Sequence, residues 1–146
     1  MKWIAISGSW RKMNKGLEDD IRKSVREIMN RGDGIVAGGA LGVDYVATDE
    51  ALKLNPAADR IKIFLPTALE IYSAHYRIRA KEGVITSEQA EELIVQLNKL
   101  RKANSSSLIE NTANDIVDTA TYYERNLAVI KMADELISFH VNESLG

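Results

Sequence analysis

Ile35-Val36-Ala37-Gly38-Gly39-Ala40-Leu41-Gly42-Val43-Asp44 decides the fold. A short apolar run stops at two glycines, and helical sequence resumes after a third. This is the pattern of a strand that feeds a tight turn and opens a helix. Glycine tolerates positive φ and lets a ligand approach the backbone without a Cβ in the way. The N-terminus of the helix offers unpaired N–H groups and partial positive charge, which suit phosphate. The spacing G-G-x-x-G is neither the G-x-G-x-x-G dinucleotide fingerprint nor a P-loop, since no Lys-Ser/Thr follows. Gly38, Gly39 and Gly42 are therefore candidate phosphate-cradle residues. Asp44, in the first turn, is a candidate partner for a ribose hydroxyl or a base, or else a carboxylate that favours the helix dipole.

Outward from this junction the chain alternates strands and helices. Lys2 to Ser7 reads as a buried strand that ends in Ser7-Gly8-Ser9-Trp10-Arg11. Asn14 is placed to cap a helix whose apolar positions are Leu17, Ile21, Val25, Ile28 and Met29. Ile35 to Ala37 is the second strand and Leu41 to Leu54 the second helix, closed by Asn55-Pro56. Ile61 to Leu65 is the third strand. Residues 68–104 read as a helical insertion, clearest where Thr86-x-x-Gln89 forms a capping box ahead of Ala90, Leu93, Ile94, Leu97 and Leu100. Asn104-Ser105-Ser106-Ser107 reads as a flexible loop. Thr121 to Ala133 resumes as helix, and Leu136 to Val141 is the fourth strand.

This rhythm predicts an α/β fold: a Rossmann-like three-layer sandwich on a mainly parallel sheet, in one domain over residues 1–146. The expected strand order is 3-2-1-4, with a topological switch point beside strand 1, where open parallel sheets bind ligands. The loops there are Ser7–Arg11, Gly38–Asp44 and His140–Gly146. Ser7, Gly8 and Ser9 offer hydroxyls and backbone N–H groups, and Arg11 a bidentate cation. Arg125 and Asn126, in Tyr122-Tyr123-Glu124-Arg125-Asn126, are further anion-binding candidates, and His140 should border the crevice. Trp10, after the Ser-Gly-Ser turn, is placed to stack on a base. Tyr72-Ser73-Ala74-His75-Tyr76-Arg77-Ile78-Arg79 is either a polar helix face or a surface that touches nucleotide or nucleic acid. Trp3 reads as core.

Composition narrows the function. Net charge is −2, with 19 Lys and Arg against 21 Asp and Glu, which argues against coating nucleic acid by bulk charge but leaves room for a local basic groove. The chain has no cysteine, so it has no thiolate zinc site and no cysteine nucleophile. Its two histidines are too isolated for a metal cluster, and no metal site is expected. The apolar start is too short for a signal peptide and no run is long enough to span a membrane, so a cytoplasmic location is expected.

Three motifs in this order resemble the SLOG superfamily of Rossmann-like domains, which includes lonely-guy phosphoribohydrolases, the Rossmann domain of DNA-processing protein A and molybdenum-cofactor carriers. They are Ile6-Ser7-Gly8-Ser9-Trp10-Arg11, Ala37-Gly38-Gly39-Ala40-Leu41-Gly42-Val43-Asp44, and Glu124-Arg125-Asn126 running through Ala133-Asp134-Glu135-Leu136-Ile137-Ser138-Phe139. The Gly-Val-Asp ending is nearer the Gly-Ile-Asp of the DNA-processing branch than the Gly-Leu-Met of the lonely-guy branch. The lonely-guy P-G-G-x-G-T-x-x-E has no counterpart in His140-Val141-Asn142-Glu143-Ser144-Leu145-Gly146. Only Arg125 matches a residue with a catalytic role in that branch; Glu124 or Glu143 would have to supply the acid/base carboxylate.

The resemblance implies a domain that binds a nucleotide or nucleotide derivative through phosphate, for sensing or carriage. The expected cofactor is none beyond a bound nucleotide or phosphate, and the expected partners are a small-molecule nucleotide and a second copy of the chain. The alternatives are a nucleoside-5′-monophosphate phosphoribohydrolase with Arg125 and Glu124 as catalytic candidates, and a DNA-recombination mediator with nucleic acid as partner. The sheet is expected to lack the usual C-terminal helix–strand unit and to leave its last strand at an edge.

Overall fold

Continuously buried central strands set the layers of this α/β protein: Ile4-Ala5-Ile6 and Gly34–Gly38 are covered on both faces. The computed structural model describes residues 1–10 and 12–140. In chain order its elements are β1 (Trp3–Gly8), α1 (Lys15–Asn30), β2 (Gly34–Gly38), α2 (Val43–Leu54), β3 (Ile61–Phe64), α3 (Leu69–Lys81), α4 (Ser87–Ala103), β4 (Leu108–Ile109), α5 (Thr119–Met132) and β5 (Glu135–Phe139). The described strands form one parallel sheet in the order β4-β3-β2-β1-β5. The expected order holds, with the short β4 added beyond β3.

Ile4, Ile6, Ile35, Ala37, Ile61 and Ile63 point to one face and pack with α1, α2, α3 and α4 in the main core. Side chains at every second strand position share a face, so Trp3, Ala5, Val36 and Phe64 turn to the other side. There they meet Val129 and Met132 of α5 in a much smaller cluster. Among the described residues the sheet is thus sandwiched unequally, by four helices on one face and one on the other.

The helices begin where local chemistry satisfies their free amides. The Asn14 side chain accepts from Leu17 N–H, and α1 buries Ile21, Val25, Ile28 and Met29 as the spacing predicts. Thr86 and Gln89 form the expected reciprocal capping box at α4, and Asp118 and Thr121 form another at α5. Arg22 of α1 bonds Asp49 and Glu50 of α2, which gives the nearly buried Glu50 carboxylate its counter-charge.

The insertion at 68–104 is helical as expected: α3 and α4 form a hairpin, α4 belongs to the crossover from β3 to β4, and Leu93, Leu97 and Leu100 are core residues. One expectation is corrected. Ser105–Ser107 is not a flexible loop but a 3-10 turn. Asn104 accepts from Ser106 N–H, and the buried Ser107 hydroxyl donates to Ala58 O, which steers the chain into β4.

Trp3 is only half-buried, on the thinly covered face, with the Lys62 ammonium 5.4 Å from its ring. On the same side, Tyr123, Leu127 and Ile130 form an exposed apolar stripe along α5, at 64%, 41% and 56% exposure. Leu136 of β5, which pairs only with β1 among the described residues, is exposed too. No described helix is long and apolar enough to cross a membrane.

Candidate functional site

The glycine junction leads from β2 into α2 at the carboxyl edge of the sheet. Gly42 has φ 77° and ψ −128° at the N-cap of α2, a conformation that a side chain would strain. Gly39 is buried, and a Cβ there would stand 2.5 Å from Leu65 Cδ2; its carbonyl accepts from the Tyr72 hydroxyl at 2.8 Å. Gly8 ends β1 so close to β5 that a Cβ would lie 1.8 Å from Phe139 O. These glycines allow close packing of backbone and core.

Several amides of the junction already have acceptors within the protein. Val43 N–H donates to Ser9 O at 3.1 Å, and Ser9 N–H donates to Phe139 O at 3.1 Å. The Asp44 carboxyl accepts from Ala40 N–H. Asp44 therefore puts a carboxylate of the chain itself into the loop where a phosphate was expected. Burial pushes that carboxyl up to about 7, against the opposing pull of Arg125 and the Ala40 amide.

Arg125 is the cation that Asp44 faces. It is 9% exposed, on the second turn of α5, and its guanidinium lies against Gly38: a Cβ there would be 2.5 Å from Nη1 and 2.6 Å from Cζ. Nε donates to Asn126 Oδ1 at 2.9 Å, and the guanidinium sits 5.2 Å from the centre of the Tyr122 ring. Nη1 is buried and has no hydrogen-bond partner. An unpaired buried donor costs about 1–3 kcal/mol, more when charged.

Two pockets open around this arginine. The larger, about 460 Å³, has aromatic walls from Trp10, His75, Tyr76 and Tyr122, with Arg79 and Asn126 at its side. His75 lies edge-on to both Tyr76 and Tyr122, and burial together with Arg79 holds its imidazole below the usual range. Arg79 pairs with Glu82 at 3.0 Å. The smaller pocket, about 320 Å³, lies beyond the ends of β3 and β4. Its walls include Phe64, Asn111, Thr112 and Glu124. Glu124 accepts from the side-chain amides of Asn111 and Asn114.

The structure brings Gly38, Asp44, Arg125 and Asn126 together. Gly39 and Gly42 shape the turn beneath them. Ser7 is exposed on β1, while Gly8 and Ser9 join β1 to β5 and α2. His140 is exposed after β5 and lines neither pocket. Glu124 faces the smaller pocket rather than the aromatic one. Arg11 and the 141–146 part of the last loop, Glu143 included, lie outside the described residues. No group of His, Cys, Asp and Glu able to hold a metal occurs among the described residues.

Sequence reasoning singled out Trp10, His75 and Arg79 but did not join them to Arg125. It missed Asn111 and Thr112, which follow the two-residue β4 and carry no glycine or charge signal.

No protein-family model matches the chain, and no curated protein matches it. Among solved structures the chain is similar to DNA processing protein A from Helicobacter pylori, described for its single-stranded DNA binding mode. The identity is 22% and the TM-score 0.65, over 94% of this chain and 53% of that one. The chain thus spans about half the length of that neighbour, and the likeness establishes the fold.

Proposed function

We propose that this domain binds single-stranded DNA, seating a phosphate on Arg125 and an adjacent base in the aromatic pocket. The observation that carries the reading is the buried Arg125 guanidinium, which has an unpartnered Nη1 and opens onto a pocket walled by aromatic rings. Aromatic rings stack on any base at about 1–3 kcal/mol per base, and a guanidinium supplies the phosphate contact. Similarity in fold to a protein described as binding single-stranded DNA supports this choice of ligand. The net charge of −2 is compatible with it because the contact is local.

The test is fluorescence anisotropy of a labelled single-stranded oligonucleotide at low salt. Binding should weaken with salt at a slope of about −0.7 per phosphate engaged. It should be lost in Arg125→Gln, provided that variant keeps its unfolding midpoint. Absence of binding at low salt by the wild-type chain would overturn the proposal.

A second reading, a sensor or carrier of a free nucleotide, draws on the size of the aromatic pocket, about 460 Å³, within the usual range for small-molecule sites. Competition decides between the two: a mononucleotide that displaces the oligonucleotide at equal or lower concentration favours the sensor. Self-association is proposed through the exposed stripe Tyr123-Leu127-Ile130. A dimer in sedimentation, lost in Leu127→Glu, is the expected outcome.

A further inference from the structure

Arg125 lines both pockets, and the two differ in chemistry. One offers aromatic faces. The other offers Asn111, Thr112 and the Glu124 carboxylate, groups able to hydrogen-bond a base edge. A cation between two such spaces is placed for a phosphate that carries a substituent on either side.

Charge points the same way. Asp44 stands beside the guanidinium, Glu124 and Glu110 line the smaller pocket, and Asp118 lines the larger. The other cation of the aromatic pocket, Arg79, is already paired with Glu82. With one guanidinium among these carboxylates, added negative charge is costly, so a phosphodiester, with its single negative charge, is repelled least. A terminal phosphomonoester, which carries nearly two at neutral pH, would leave excess charge facing Asp44.

Resting on the single-stranded DNA reading, we infer that the ligand unit is an internal phosphodiester step. Its linking phosphate sits on Arg125, one base lies in the aromatic pocket and the neighbouring base in the pocket of Asn111 and Thr112. The domain then reads two consecutive nucleotides inside a strand, not a strand end or a free nucleotide.

The experiment compares thymidylyl-thymidine, which has one internal phosphate and no terminal one, with thymidine 5′-monophosphate by calorimetry at pH 7.5. A twelve-residue oligothymidylate serves as the control for the underlying reading. The dinucleotide should bind at least tenfold tighter than the mononucleotide. A methylphosphonate linkage, neutral but of similar shape, should abolish that advantage. Ala113→Trp, which fills the smaller pocket, should lower dinucleotide affinity at least tenfold while the unfolding midpoint shows the chain still folded. Equal or tighter binding of the mononucleotide, with oligothymidylate still bound, would overturn the internal-step inference alone. So would full dinucleotide affinity in Ala113→Trp. Failure of the oligothymidylate itself to bind would overturn the DNA reading and this inference together.

Discussion

Gly38 and Arg125 are fitted to each other: the missing Cβ of Gly38 is the space in which Arg125 Nη1 and Cζ lie, 2.5 and 2.6 Å from where that carbon would be. A strand end and a helix turn far apart in sequence are thereby locked against each other. Gly38→Ala should push the guanidinium out of place. The expected result is at least a tenfold loss of oligonucleotide affinity, about 1.4 kcal/mol, with an overpacking cost of about 1–3 kcal/mol. Titration of the folded variant, alongside urea unfolding, checks both.

Gly39 tells a different story although it is the next residue. A Cβ there meets Leu65 Cδ2 at 2.5 Å and Leu97 Cδ2 at 3.3 Å, in the core and not at the Arg125 guanidinium. Gly39→Val should therefore lower stability by about 1–3 kcal/mol. Binding per folded molecule should be retained at low temperature. A variant of wild-type stability that cannot bind would refute this assignment.

Asp44 should make stability fall as pH rises. Its folded-state value of about 7 lies above the ordinary 3.8, so the folded chain holds the proton more tightly between these limits. The contribution is fully present below pH 4 and is lost as pH rises through 7. About three pKa units at 1.36 kcal/mol each set an upper bound of roughly 4 kcal/mol. Asp33 and Asp49, held below their usual range, act in the opposite sense. Subtracting Asp44→Asn from wild type cancels them. Urea unfolding at pH 5 and pH 8 should show the Asn variant gaining on wild type at pH 8. Its oligonucleotide affinity should also rise there, since a like charge beside the phosphate has gone.

Arg125→Met separates binding from folding. At pH 5, where Asp44 is largely neutral, replacing an unpaired buried donor by a thioether chain should leave the unfolding midpoint equal to or above wild type. At pH 8 the variant should be less stable, because the Asp44 carboxylate loses its facing cation. Oligonucleotide binding should be absent at both values. A large loss of stability at pH 5 would mean that Arg125 is a structural residue.

Much of the fold is legible in the residues because local signals agree with the final packing. The apolar runs Trp3-Ile4-Ala5-Ile6 and Ile35-Val36-Ala37, the Asn14 cap and the Thr86–Gln89 box each specify an element that tertiary contacts then preserve. The two-residue β4 was missed because so short a strand has no period to read; pairing with Ile63 and Phe64 creates it. Residues 68–104 were legible as helix but not as core, since an apolar stripe does not say which surface it will cover.

The candidate site divides along the same line. The sequence by itself determined the parallel α/β architecture, the junction at Gly38–Asp44 and the interest of Arg125, because periodicity, glycine and capping chemistry act over a few residues. Only the tertiary structure decided that the Asp44 carboxyl accepts from Ala40 N–H of its own loop, that Gly39 serves Leu65, and that Arg125 lines two unlike pockets. Those outcomes depend on which side chains reach the same few ångströms from distant parts of the chain. That is set by how α5 and the α3–α4 hairpin pack around the carboxyl edge of the sheet.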